Sequence, residues 1–207
     1  MPELDLLLRG GTVLEGVDNT ETPDIAVGAP DEQDRTVPGA AIGQALGLRA
    51  NPMAAVSATR NKLAMRDALG RAGVLQPEFA AFGVEEDPAV VAMGVSYPCV
   101  LKPLVLSASR GVIRADTPAE LAAAWARIAA ILLLPEIREL GDGASKILVE
   151  SFVPGIEVAL EGMLTAGQLQ TLALFDKPDP LDGSYFEETI YMTPSRLPEA
   201  RQSAVAD

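Results

Sequence analysis

Hydrophobic and polar positions along the 207-residue chain form short runs whose period changes from helical to alternating and back. Leu63, Met65, Ala68, Leu69 and Ala72 recur at helical spacing, and Gly73 follows where a helix commonly ends in glycine. Glu78 to Val84 and Tyr97 to Pro103 are apolar runs of strand length. Between them, Asp87-Pro88 predicts a cap and a first helical residue, with the helix reaching Met93. Val112 to Ala115 predicts another strand, and Thr117-Pro118-Ala119-Glu120 a capping box that opens a long helix. Lys146 to Val153, Ile156 to Leu164 and Gln168 to Phe175 predict three more strands, the last two joined through Ala166-Gly167. A helix is expected to start near Glu199.

Upstream the pattern is sparser. Leu4 to Leu8 and Thr12 to Leu14, on either side of Arg9-Gly10-Gly11, predict a strand or hairpin over residues 3–17. Residues 18–38 read as a polar loop around a small apolar patch, Ile25 to Val27. Ala40 to Leu46 suits a short helix ended by Gly47, and Asn51-Pro52 a turn. Strand–helix alternation that gives way to antiparallel strands predicts an α+β fold rather than a doubly wound sheet. The expected division is an N-terminal region 1–57, a small α+β subdomain 58–148, and a second subdomain beginning in 149–207.

Composition narrows the chemistry. The chain has no histidine, so it supplies no Ser-His-Asp triad, no histidine general base and no imidazole-ligated zinc. One cysteine, Cys99, makes no intrachain disulfide; it sits in an apolar strand and reads as a small hydrophobe, in keeping with a reducing cytoplasm. A net charge of −13 argues against nucleic acid as a partner. Its distribution is uneven: residues 1–60 carry four basic and nine acidic side chains, 61–115 six and five, and 116–207 six and fifteen. Only the middle of the chain favours an anion. Leu121 to Leu134, the longest apolar stretch, is too short to span a bilayer and contains Arg127, while the acidic start lacks the form of a signal peptide. No membrane partner is expected, and the cytoplasm is the expected compartment.

Candidate chemistry lies in an ordered set of features. Lys62 opens the helix in "TRNKLAMRDAL"; the strand "YPCVLKP" holds Lys102; the loop "SASRGV" contains Ser107, Ser109, Arg110 and Gly111; and "ILVESFVPGIEV" carries Glu150, Phe152, Val153 and Glu157. A lysine near the end of a strand bounded by prolines is a fixed point charge suited to phosphate, and a small-residue loop offers hydroxyls, N–H groups and a guanidinium to the same anion. Each feature has a plainer alternative: a solvent-facing lysine at 62 or 102, a simple turn at 107–111, and a strand's wet face for Glu150 and Glu157. Trp125 reads as core. Asp176, Lys177, Glu187, Glu188 and Ser195 are clustered polar residues of a loop-rich tail, near which substrate is expected if they are more than a solvated surface.

Taken in order, these motifs resemble the ATP-grasp superfamily, and within it the carboxylate–amine ligases that include the L-amino acid ligases; the likeness covers roughly residues 24–200. The tail "FDKPDPLDGSYFEETIYMTPSRLP" is similar to the same subgroup. The resemblance implies an ATP-grasp nucleotide-binding fold, incomplete at its C-terminal end. It implies ATP and Mg2+ as cofactors, a small-molecule carboxylate and an amine as substrates, and an acylphosphate on the way to an amide or peptide bond. It also implies roles: Lys62 and Lys102 on phosphate oxygens, residues 107–111 as the loop over the triphosphate, Glu150 with the main chain at Phe152 and Val153 against the adenine edge, and Glu157 on the ribose. The family's late metal-binding "E-x-N-x-R" segment has no counterpart in residues 189–207, so no metal ligand is assigned. A fragment or a degenerate, non-catalytic nucleotide-binding module is the alternative to an active ligase, and a purely structural α+β domain is a third reading. Residues 1–27 resemble instead the opening hairpin of cyclic amidohydrolases, whose histidine ligands this chain does not possess.

Overall fold

Local signals set the boundaries of most elements. In the computed structural model, which describes residues 12–15, 25–28, 36–179, 183–186 and 190–206, the chain divides into two units that meet in sequence at Leu75 and Gln76. The first unit contains an antiparallel pair, β1 (Thr12–Glu15) and β2 (Ile25–Gly28), and three helices, α1 (Thr36–Ala45), α2 (Met53–Arg60) and α3 (Lys62–Arg71). The small apolar patch of the expected loop is therefore a strand, and it is the partner of Thr12–Glu15. The part of the expected hairpin at Leu4 to Leu8 lies outside the described residues. Asn61 separates α2 from α3: it ends the first with extended backbone and caps the second, its side-chain oxygen accepting the N–H groups of Leu63 and Ala64 at 3.0 and 3.2 Å. Gly73, with φ of +72°, closes α3 as expected. No residue of α3 is fully buried, so its apolar spacing marks a half-covered helix.

The second unit is built on a four-stranded antiparallel sheet in the order β3 (Phe79–Gly83), β6 (Lys146–Ser151), β4 (Cys99–Pro103), β5 (Ile113–Ala115). Helices α4 (Pro88–Met93) and α5 (Pro118–Leu132) lie in the connections, and α6 (Pro135–Arg138) leads towards β6. Asp87 caps α4 by accepting the Ala89 N–H at 2.8 Å. Thr117 caps α5 by accepting from Glu120 N at 3.2 Å, while the Glu120 carboxylate accepts from Asp116 N at 2.7 Å, one position before the cap. The exchange serves two exposed N–H groups at the helix start.

Register divides the sheet into two chemically different faces. Leu101 stands opposite Ile113 and Val149, and Cys99 opposite Ala115 and Ser151; Val100 stands opposite Arg114 and Glu150, and Lys102 opposite Leu148. Cross-strand partners share a face. The first set, with Ile147, packs against Leu121, Trp125, Ile128 and Leu132 of α5 and Val91 of α4. Leu101, Leu121, Ile128 and Ile147 are completely buried, and each contributes about 1.5–3 kcal/mol of apolar burial. The Trp125 indole N–H donates to the Val84 carbonyl at 3.1 Å, so the largest core side chain leaves no polar atom unpaired. Burial pushes the Cys99 thiol up to about 11, with the nearby Asp116 charge adding to the effect; this is the inert cysteine expected.

Beyond the sheet, β7 (Val158–Thr165) and β8 (Gln168–Asp176) form an antiparallel pair joined by Ala166-Gly167, both with positive φ, +50° and +79°. Those angles match the two-residue hairpin turn that the dipeptide predicted. The tail bridges Tyr185 to Ile113 of the four-stranded sheet and Met192 to Asp176 of β8, before α7 (Glu199–Ala206). Among the described residues no helix is long and apolar enough to cross a membrane.

Candidate functional site

The face of the sheet opposite the core carries the charges. Lys102 extends from the fourth position of β4, and its ammonium donates to Glu150 Oε2 at 2.6 Å from the neighbouring strand β6. The glutamate side chain is 4% exposed and the lysine 24%, so the carboxylate is sealed in while the ammonium still reaches solvent. A nearly buried anion of this kind is tolerated only with a cation against it, and it fixes that cation's position. Glu150 thus anchors Lys102 and has little edge free for a ligand.

Arg114, on the same face, has a role the sequence did not disclose. Its Nε donates to Asp116 Oδ1 at 2.6 Å, and its guanidinium lies 4.2 Å from the centroid of the Phe152 ring. The Phe152 N–H donates to the Pro98 carbonyl at 3.0 Å. Of the groups Phe152 was expected to offer, the ring and the carbonyl remain, while the N–H is committed. Val153 follows with its side chain well exposed.

The chain leaves β4 into the loop of residues 104–112. Ala108, Ser109 and Gly111 have φ of +52°, +54° and +77°, and the turn is tied by Arg110 N–H to Ser107 O at 3.2 Å and Val112 N–H to Ser109 O at 3.0 Å. A Cβ at Gly111 would stand 2.8 Å from Pro103 Cγ, so glycine is required for both angle and space. The Ser107 hydroxyl is buried and, among the described residues, has no hydrogen-bond partner. An orphaned buried hydroxyl at the start of a strained loop is a polar atom whose hydrogen-bonding capacity is unused. Arg110 is exposed and lines a separate cavity beside α5.

The other expected residues that are described in the second unit do not join this group. Glu157 lies just before β7 and forms an ion pair with Lys177, whose ammonium is 5.3 Å from the Tyr191 ring centroid. Asp176 accepts from the Ser195 hydroxyl and from Arg196 N–H at 2.8 Å; these bonds, the serine's first, hold its carboxyl below the usual carboxylate range. Lys62 is the first residue of α3, in the first unit. Glu187 and Glu188 lie outside the described residues. Among the described residues no group of three or more His, Cys, Asp or Glu side chains could hold a metal ion, so magnesium is assigned to no residue.

Comparison with known proteins gives this geometry its context. The model of the ATP-grasp domain matches residues 95–207. The alanine–anticapsin ligases of Bacillus subtilis (strain 168) and Bacillus amyloliquefaciens are each 25% identical over 174 residues, covering 78% of this chain and 36% of theirs. The crystal structure of an L-amino acid ligase from Bacillus licheniformis is 29% identical with a TM-score of 0.66, over 82% of this chain and 39% of that one. The ADP complex of PurK, N5-carboxyaminoimidazole ribonucleotide synthetase, is alike in fold, with a TM-score of 0.60 at 17% identity over 85% of this chain and 43% of that one. The chain therefore spans less than half the length of these relatives.

Proposed function

Since the chain belongs to the ATP-grasp family, we propose that it carries the nucleotide-binding part of an ATP-dependent carboxylate–amine ligase acting on small amino-acid-like substrates in the cytoplasm. The similarity to L-amino acid and alanine–anticapsin ligases supports the substrate class. ATP supplies the phosphoryl group that activates a carboxylate for attack by an amine. The residues of this chain bind and orient. Lys102, held by Glu150, offsets phosphate charge; the Ser107 hydroxyl donates to a phosphate oxygen; Ser109, Arg110 and Gly111 form the loop, with the Arg110 guanidinium left to the cavity beside α5. The Phe152 ring, backed by Arg114, gives a flat apolar surface suited to a base, and Val153 extends it. Glu157, about half exposed beside Lys177, is left to accept from ribose hydroxyls, and Lys62 is proposed as a further phosphate-binding lysine.

The observation that carries this reading is the Lys102–Glu150 pair on the face away from the core, at the root of a loop with an unpaired buried hydroxyl. Equilibrium titration with ATP, with and without magnesium, tests it. Lys102→Ala is expected to weaken ATP by about 1.5–3 kcal/mol through loss of a charged hydrogen bond to phosphate. Unchanged affinity in a folded variant would overturn the assignment. Phosphate release dependent on added amino acids would support the ligase, whereas binding without release would favour a module that holds nucleotide and does not turn it over.

A further inference from the structure

On the α5 side of the loop lies a cavity of about 550 Å³ that shares only the loop residues Ser109, Arg110 and Gly111 with the nucleotide reading. Its volume is within the range of small-molecule sites. Its lining combines two guanidiniums, Arg110 from the loop and Arg127 from α5, with the apolar side chains of Ile113 and Ile131 and two aromatic residues of the tail, Tyr185 and Phe186. Among the described residues no carboxylate lines it, although the chain as a whole carries −13. Neither guanidinium has a carboxylate partner among the described residues, and Arg127 lies 5.2 Å from the centroid of the Tyr185 ring.

The walls of this cavity are fixed. Ile113 is buried in β5. The tail is pinned to that strand by Arg114 N–H to Ser184 O at 3.0 Å and by the Ile113–Tyr185 bridge. Gly111 presses so closely on Pro103 and Ile131 that a Cβ there would meet both. Two guanidiniums without a carboxylate partner among the described residues, over an apolar, aromatic floor, make a site for a molecule with one anionic head and one apolar body, because the head needs the charge and the body the dry surface.

We propose that this cavity binds a small organic anion, a carboxylate or phosphate bearing an aromatic or branched aliphatic group, at a site distinct from the one holding ATP. The site stands on these residues whether or not Lys102 binds nucleotide. The test is calorimetric titration of the whole chain with phenylacetate, phenyl phosphate, benzyl alcohol and inorganic phosphate, with amide shifts mapped by NMR. Binding by either aryl anion, with shifts at Ser109 to Ile113 and at Tyr185, is expected, and the stronger of the two identifies the head group. Arg127→Leu is expected to weaken that binding at least tenfold while leaving ATP affinity unchanged. Benzyl alcohol or inorganic phosphate binding as tightly as the aryl anions, an unaffected Arg127→Leu variant, or one-for-one displacement by ATP would each overturn the proposal. Displacement by ATP would leave the nucleotide reading intact, and loss of ATP binding in Lys102→Ala alone would leave this one intact.

Discussion

The two faces of the four-stranded sheet are made of alternate residues of the same strands, yet they do opposite work. One face buries Cys99, Leu101, Ile113, Ala115, Ile147 and Val149 under α4 and α5. The other presents Lys102, Arg114 and Glu150 between the apolar Val100 and Leu148. A shift of one residue in register would exchange these sets, sending charge into the core and leucine into the site. The apolar face therefore holds in place the register that brings Lys102 to Glu150.

Substitutions on the two faces separate these roles. Leu101→Ala removes a fully buried side chain, and about 3–4 kcal/mol of unfolding free energy is expected to go with it in urea denaturation. A loss below about 1 kcal/mol would mean that the helix-covered face does not dominate stability. Glu150→Ala on the charged face leaves the Lys102 ammonium unpaired, and about 2 kcal/mol is expected. The double substitution Lys102→Met with Glu150→Gln should recover most of that loss while still binding ATP poorly, because the pair serves position more than stability. If the double variant stays as unstable as the single one, the pair is structural.

Smaller effects sharpen the contrast. Thr117→Ala removes the cap of the helix that covers the core, at about 1 kcal/mol, and leaves ATP affinity unchanged. Altered ATP affinity in that variant would show that the two faces are coupled. Cys99 reports the core by titration. Its folded value near 11 lies above its ordinary value of 9.0, so the stability tied to the protonated thiol is complete below about pH 9 and is lost as pH rises through about 11. Cys99→Ala should flatten that alkaline slope in melts recorded from pH 8 to 11, and an unchanged slope would assign it to another group.

Much of this was legible in the chain because the signals are local. The Thr117 cap, the Ala166-Gly167 turn and the glycine after α3 each fix a conformation within four residues, and all were found where expected. Lys102 and its loop were legible through the order of motifs, and the family and fold they implied are those the comparisons support. What escaped depends on pairing between distant residues. Nothing near Ile25 announces Thr12–Glu15 as its partner, and a single arginine in a three-residue strand gives no sign of the face it takes until Val100 is placed opposite. The salt bridges of Glu150 and Glu157 reach across 48 and 20 residues, so sequence supplied the side chains without their partners. Helix α2 was hidden by "MAAVSATR", whose small residues give only a weak apolar stripe with Val56 as its one buried member.

The tail that closes the cavity beside α5 has a second consequence. β5 is the last strand of its sheet and only three residues long, with its outer side turned away from β4. Ser184 and Tyr185 occupy that side. An uncovered strand border is a template for self-association, so these two residues act as a guard against fibrous aggregation, and a chain cut before Ser184 would offer its copies a ready place to join.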